Sequence, residues 1–200
     1  MKTTLKKITL QGDDAAKLLQ RITTQDVYQC HQPRLTAICN AKGRTLVIFW
    51  LMHTPDEQTI YIEQSLVPIL LQLLRYYDPF CKLRFHLANE TIWASETLNF
   101  SHAPLQETKP WALHLIQQGI VTLSPQTSGK YTPHMLNLDK LGAISLTKGC
   151  FIGYEVIART ETRGNTKRRI TQATSRTPPE NALNTILAEK HYYSLIMDAV

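Results

Sequence analysis

The chain has 200 residues, of which 43% are hydrophobic and 19% charged, a balance typical of globular proteins and too apolar for intrinsic disorder. Its 22 Lys and Arg residues exceed its 16 Asp and Glu residues, and the resulting charge of +6 favours anionic ligands but is mild for a dedicated nucleic-acid-binding protein. No apolar run approaches the ~20 residues that span a bilayer, and the first residues lack the apolar core of a signal peptide.

The four cysteines, Cys30, Cys39, Cys81 and Cys150, form no CxxC pair and show no zinc-finger spacing. Thiols without a secretory signal are typical of a reducing compartment. We therefore expect a cytoplasmic protein with reduced cysteines. The sequence indicates no metal site and no membrane contact.

In chain order, residues 3–10 predict a strand that stops at Gly12, and the apolar spacing of 15–22 predicts a helix capped by Asp13 or Asp14. Further strands are predicted at 45–52, 59–64 and 82–87, and further helices begin at Ser65 and at Pro110.

The last third begins with a turn-rich surface loop at 124–133. Residues 155–160 have helical propensity, and the segments 170–174 and 190–200 predict two strands around the loop 176–181. Helices and strands are mixed without strict βαβ alternation, which predicts an α+β fold with mostly antiparallel sheets.

The stretch KGCFIGYEVIART at 148–160 places Cys150 between two glycines and ahead of the predicted helix. A thiolate at this positive helix end is stabilised by the helix dipole and by Lys148, and Glu155 could bond the N–H groups of the first turn or a ligand donor. The alternative is a small buried cysteine, the usual fate of a free thiol, and spacing alone favours it.

This stretch, followed by RGNTKRR, resembles the signature of the YgfZ family of folate-binding proteins, which are relatives of the glycine-cleavage T-protein that lack its metabolic role. The segments LQGDDAAKLLQRITTQD, NAKGR and YTPHMLNLDKLGAIS are also similar to family sequences. The residues that match the signature are Lys148, Gly149, Cys150, Phe151, Gly153, Glu155, Ala158, Arg159, Arg163, Gly164, Lys167 and Arg168.

The resemblance implies an α+β body around a folate-sized hole, capped by a C-terminal β-barrel. Because only about 30 residues follow the signature, we expect a T-protein/YgfZ-like body at 1–168 and a reduced barrel remnant at 169–200. The resemblance also implies a cytoplasmic accessory role in maintaining iron–sulfur clusters, including those of tRNA-thiomethylating enzymes. Its partners would be such enzymes and tetrahydrofolate, with Cys150 as the functional thiol.

Residues for a folate site follow from the same resemblance. Trp111 matches a folate-linked tryptophan. Gln117 stands where the family usually carries Glu, and Tyr154 where it carries Gln. Cations for the anionic tail of the ligand are then expected at Arg159, Arg163 and Lys167.

Two other functions stay open. One is aminomethyl transfer of the T-protein type, against which the signature cysteine and Gln117 argue. The other is a non-catalytic interaction module with a decayed folate pocket, whose basic tail binds RNA or a protein partner. Direct contact with nucleic acid is left open as well.

Overall fold

The computed structural model describes residues 1–12, 14–80, 82–105, 109–164 and 166–199, so Asp13 and Cys81 lie outside the described residues. The strands within this part of the chain are β1 (Leu5–Gln11), β2 (Arg34–Cys39), β3 (Thr45–His53), β4 (Gln58–Glu63), β5 (Arg84–Leu87), β6 (Trp93–Ala94), β7 (Phe100–Ser101), β8 (Arg168–Ser175), β9 (Ala182–Ala188) and β10 (His191–Ala199). The α-helices are α1 (Ala15–Ile22), α2 (Val67–Tyr77), α3 (Trp111–Gln117) and α4 (Tyr154–Arg163).

The main sheet has five strands in the order β2-β3-β4-β1-β5, and every neighbouring pair is antiparallel. Its central strands are buried over most of their length, with Ile60 opposite both Ile8 and Leu51. Helix α1 adds Leu19 and Ile22 to the core. The fold is therefore α+β with antiparallel sheets, which confirms the predicted class.

A second antiparallel sheet, in the order β8-β10-β9, is formed by the C-terminal segment and packs against α3. Its buried residues Ile170 and Leu195 belong to the same hydrophobic core as the main sheet. The sequence predicted two strands here, and the third, β9, was missed. The sequence of β9, ALNTILA, does not alternate apolar and polar residues, so it carries little strand signal.

Two glycines join the signature helix α4 to the turn between β2 and β3. Gly43 lies in that turn with a φ of +67°, and Gly153 precedes α4 with a φ of +83°. A Cβ on Gly153 would lie 2.7 Å from the Asn40 carbonyl oxygen and 3.1 Å from the Gly43 Cα. Only glycine permits this backbone approach, which fixes α4 against the main sheet.

Across the described residues, no helix combines the length and the apolar character needed to traverse a membrane.

Candidate functional site

Cys150 lies on the surface, four residues before the first residue of α4. The next residue, Phe151, is buried in a small apolar cluster with Cys39 and Ile157. This anchor holds the glycine-flanked segment in place while the thiol stays exposed. The expected position ahead of a helix is present, and the alternative of a buried side chain is wrong.

Lys148 does not share the exposed position of Cys150. Its ammonium group donates a hydrogen bond to the Gln20 carbonyl oxygen and lies 5.2 Å from the centre of the Phe151 ring. Burial lowers the pKa of Lys148 to about 8, and the negative charge of Asp26 opposes this shift. Lys148, which the sequence predicted to activate Cys150, is therefore bonded to Gln20 of α1 instead.

The thiol whose pKa Lys148 affects is Cys30. It is fully buried, and its sulfur donates a hydrogen bond to the Asp26 carbonyl oxygen at 3.2 Å. Burial raises the pKa of Cys30 to about 11, partly offset by Arg34 and Lys148. At neutral pH Cys30 is a protonated, poorly nucleophilic thiol.

The other two predicted residues at the start of α4 have different surroundings. Glu155 is exposed in the first turn, and among the described residues the N-cap position of this helix has no side-chain hydrogen bond. Tyr154 is half-buried; its hydroxyl donates to the Leu146 carbonyl oxygen at 3.3 Å, and its ring packs edge-on against Phe151. Tyr154 therefore packs against the apolar cluster that contains Phe151.

Trp111 has a carboxylate partner that the sequence did not indicate. Its indole Nε1 donates to Glu63 at 3.2 Å, and the Thr4 hydroxyl donates to the other oxygen of the same carboxylate. Burial raises the pKa of Glu63, and the two hydrogen bonds oppose that rise. All three residues line a cavity of about 170 Å³, with Asn184 and Thr185 of β9 on its wall.

Gln117 does not line this cavity. Its side chain is exposed and accepts a hydrogen bond from Lys109 at 3.1 Å, while its backbone oxygen accepts one from Gln172. The predicted pairing of Trp111 with Gln117 in one pocket is therefore wrong. They are six residues apart, and Trp111 is buried while Gln117 points to solvent at the C-terminal end of α3.

A cavity with a volume of about 350 Å³ lies beside the outer strand β2. Its wall includes the indole of Trp50 and the polar side chains of Gln25, Arg34 and Gln118, with apolar contributions from Leu35, Leu98, Ile120 and Leu141.

The Trp50 indole N–H is buried and has no hydrogen-bond partner within the described residues. Trp50 also packs against Trp111, with ring centres 5.7 Å apart. Sequence patterns gave Trp50 no role because it lies within a continuously apolar strand.

The basic residues of the signature are distributed over the surface. Arg159 and Arg163 are exposed on α4, and neither lines any of the four cavities described. Lys167 lines a separate cavity of about 280 Å³, together with Arg44 and Arg168. The residues predicted for one folate site thus occupy several places rather than one.

A single cluster of possible metal ligands occurs in the described part of the chain, formed by His134, Asp139 and Glu161. His134 Nε2 lies 2.7 Å from a Glu161 oxygen, and both Asp139 oxygens accept hydrogen bonds from Arg169. Burial alone would raise the pKa of Asp139, but the Arg169 guanidinium holds it below its ordinary value. A fixed guanidinium here repels a metal ion, so we interpret the cluster as an ionic network that joins α4 to β8.

Comparison with known proteins gives the following relatives. A protein of Haemophilus influenzae described as uncharacterized is 34% identical over 189 residues, covering 80% of this chain and 68% of its own length. The tRNA-modifying protein YgfZ of Aliivibrio fischeri is 26% identical over 209 residues (80% and 66%), and that of Colwellia psychrerythraea is 27% identical over 217 (82% and 67%). The chain thus spans about two thirds of the length of these relatives. No family model matches the chain.

Among solved structures, the glycine cleavage system aminomethyltransferase T from Bartonella henselae matches with a TM-score of 0.67 at 9% sequence identity. The match covers 99% of this chain and 77% of the other. At this identity the likeness is one of fold.

Proposed function

The chain belongs to the YgfZ family as a shorter, divergent member, and on this premise we propose that it is an accessory protein that binds a folate and supports tRNA modification. In this proposal it helps to maintain the iron–sulfur clusters of tRNA-modifying enzymes. The YgfZ relatives are named as tRNA-modifying proteins, which supports the pathway. The likeness to the aminomethyltransferase is of fold alone and does not favour aminomethyl transfer here.

The observation that carries the proposal is the 350 Å³ cavity beside β2, which we call the Trp50 cavity. A fused heterocycle needs a flat apolar wall, hydrogen-bonding groups at its edge and a cation for its carboxylate tail. Trp50 lines the cavity and supplies the flat wall, and its buried indole N–H has no partner within the described residues. Gln118 supplies hydrogen-bonding groups for the edge of the heterocycle, and Arg34 supplies the cation for its tail. Neither side chain has a hydrogen bond or ion pair within the described residues.

Titration calorimetry with tetrahydrofolate under anaerobic conditions tests this assignment. We expect binding by the wild type and a loss of about tenfold in affinity for Arg34→Gln, because a charge-assisted bond to the tail is removed. Arg75→Gln removes an exposed arginine elsewhere and should leave affinity unchanged. Absence of heat up to millimolar ligand would instead favour the non-catalytic module.

We also propose that Cys150 is the functional thiol of the accessory role, since it is exposed on an anchored segment. Cys150→Ala should lower the activity of a thiomethylating iron–sulfur enzyme in cells under oxidative stress. Because the side chain is exposed, the change should alter the free energy of unfolding by less than about 0.5 kcal/mol. Full activity in the variant would remove the thiol from the proposed mechanism.

A further inference from the structure

Two distant segments of the chain bring their basic side chains to one cavity. Arg44 follows the turn that contains Gly43, while Lys167 and Arg168 follow the signature helix. The close contact between Gly43 and Gly153 holds these segments together. The result is the cavity of about 280 Å³ described above, which we call the basic cavity.

The cations of the basic cavity are available to a ligand. Lys167 and Arg168 make no side-chain hydrogen bond or ion pair with the residues that the structure describes. Arg44 uses one guanidinium nitrogen on the Lys130 carbonyl oxygen, which orients the group and leaves its other donors unassigned. The positive charge is therefore held in place with spare hydrogen-bonding capacity.

No carboxylate is found among the described residues that line the basic cavity. The adjacent acid on α4, Glu161, is bonded to His134. Hydroxyl groups complete the wall, from Thr132, Thr160 and Thr166. The Thr160 hydroxyl donates to the Val156 carbonyl oxygen, so it offers a ligand no proton. The Thr132 oxygen accepts from the Met135 N–H, so its own proton remains free for donation. Cations and hydroxyl donors without an acid are the groups that phosphate oxygens require.

We propose that the basic cavity binds backbone phosphates of RNA, so that the protein contacts RNA directly. The choice of RNA rests on the proposed role in tRNA modification, whereas the affinity for phosphate rests on the cavity itself. Arg44 offers a planar fork for two phosphate oxygens, and Lys167 and Arg168 extend the positive charge along the wall. The basic cavity shares no lining residue with the Trp50 cavity, so RNA and folate binding are separable.

The test measures the binding of fluorescently labelled tRNA by anisotropy in 50 and 200 mM KCl. For the double variant Lys167→Gln/Arg168→Gln we expect at least a tenfold weaker affinity at 50 mM. The slope of log affinity against log salt should fall by about 2, since two phosphate contacts are lost. The matched control, Arg75→Gln/Arg84→Gln, removes the same charge from exposed positions on α2 and β5 and should change affinity less than threefold.

Equal weakening in both double variants would overturn the proposal, because it would indicate attraction by net charge alone. Absence of tRNA binding by the wild type would overturn it as well, as would binding of tripolyphosphate without binding of tRNA. Tripolyphosphate should displace tRNA from the wild type. Tetrahydrofolate titrations of the same variants should match the wild type, so failure of RNA binding and failure of folate binding are seen separately.

Discussion

Lys148 and Cys150 are two residues apart in the sequence, yet one is half-buried against α1 and the other is exposed. The intervening Gly149 has a φ of +99°, and this backbone turn lets the two side chains diverge. Spacing alone cannot reveal such a divergence. The burial of Lys148 also gives this residue a role in stability that can be measured apart from any activity.

Burial of Lys148 predicts a pH-dependent stability. Its pKa of about 8 in the folded chain lies below the ordinary 10.5, so the unfolded chain binds more protons between these values and the lysine's contribution to stability rises with pH. The difference in unfolding free energy between wild type and Lys148→Met should therefore rise by about 1 kcal/mol from pH 8 to pH 9. Urea denaturation at several pH values measures it. A constant difference would mean that Lys148 is solvated in the folded protein.

Arg169 is the residue on which the ionic network depends most. It donates to the backbone oxygen of His134 and to Asn137, and it holds both oxygens of Asp139 at 2.8–2.9 Å. Arg169→Gln should lower the free energy of unfolding by about 3 kcal/mol, because a largely buried carboxylate loses its partner. Arg168→Gln, one residue earlier, should cost less than about 0.5 kcal/mol. Similar losses in both variants would contradict the importance of the network.

The contacts of Trp111 could not be predicted from the sequence. The resemblance predicts Trp111 in a folate site, which stays a prediction, and its carboxylate partner could not be predicted, since Glu63 lies 48 residues away. A spacing pattern within one element detects neighbours three or four residues apart, and β4 gave no sign that its last residue faces α3. The cavity beside Trp50 could not be predicted from spacing either, because residues from several segments of the chain line it.

At the scale of elements, most helices and strands were predicted from periodicity and turn residues, with ends off by a few residues. Strand β2 was missed because five of its six residues are buried, so no polar alternation marks it. The position of α4 was predicted from its preceding glycines. Their close contact with the β2–β3 turn was not, because only the folded chain brings them together.

That contact can be tested with two glycines of similar conformation. Gly153 and Gly164 have φ values of +83° and +62°, but of these two only Gly153 has neighbouring atoms within 4 Å of the place that a Cβ would occupy. Gly164→Ala should cost about 1 kcal/mol from the left-handed conformation alone. Gly153→Ala should cost at least about 3 kcal/mol, since a backbone oxygen must also move. Equal costs in thermal unfolding would refute the tight contact.

At the scale of the whole molecule, the division into a body at 1–168 and a remnant at 169–200 remains a prediction. The fold class followed from the mixture of elements and from the resemblance. The arrangement of the C-terminal sheet did not, because the pairing of its strands and its packing on α3 depend on contacts between distant residues. A shared core suggests that the two parts unfold together.

Leu195→Ala tests this cooperativity. Leu195 is fully buried in β10, so its truncation should cost about 2–5 kcal/mol. The three tryptophans lie within 1–168, and their fluorescence should report a lower denaturation midpoint if both parts form one unit. Leu187→Ala, at a position 58% exposed in the same sheet, serves as the control and should leave the midpoint nearly unchanged. An unaltered tryptophan transition in Leu195→Ala would show that the sheet unfolds independently.

The indoles of Trp50 and Trp111 pack against each other, and each lines a different cavity. A ligand that shifted one ring would also disturb the packing of the other. Ligand binding in the two cavities would then be thermodynamically linked, and each ligand would change the affinity of the protein for the other by the same factor.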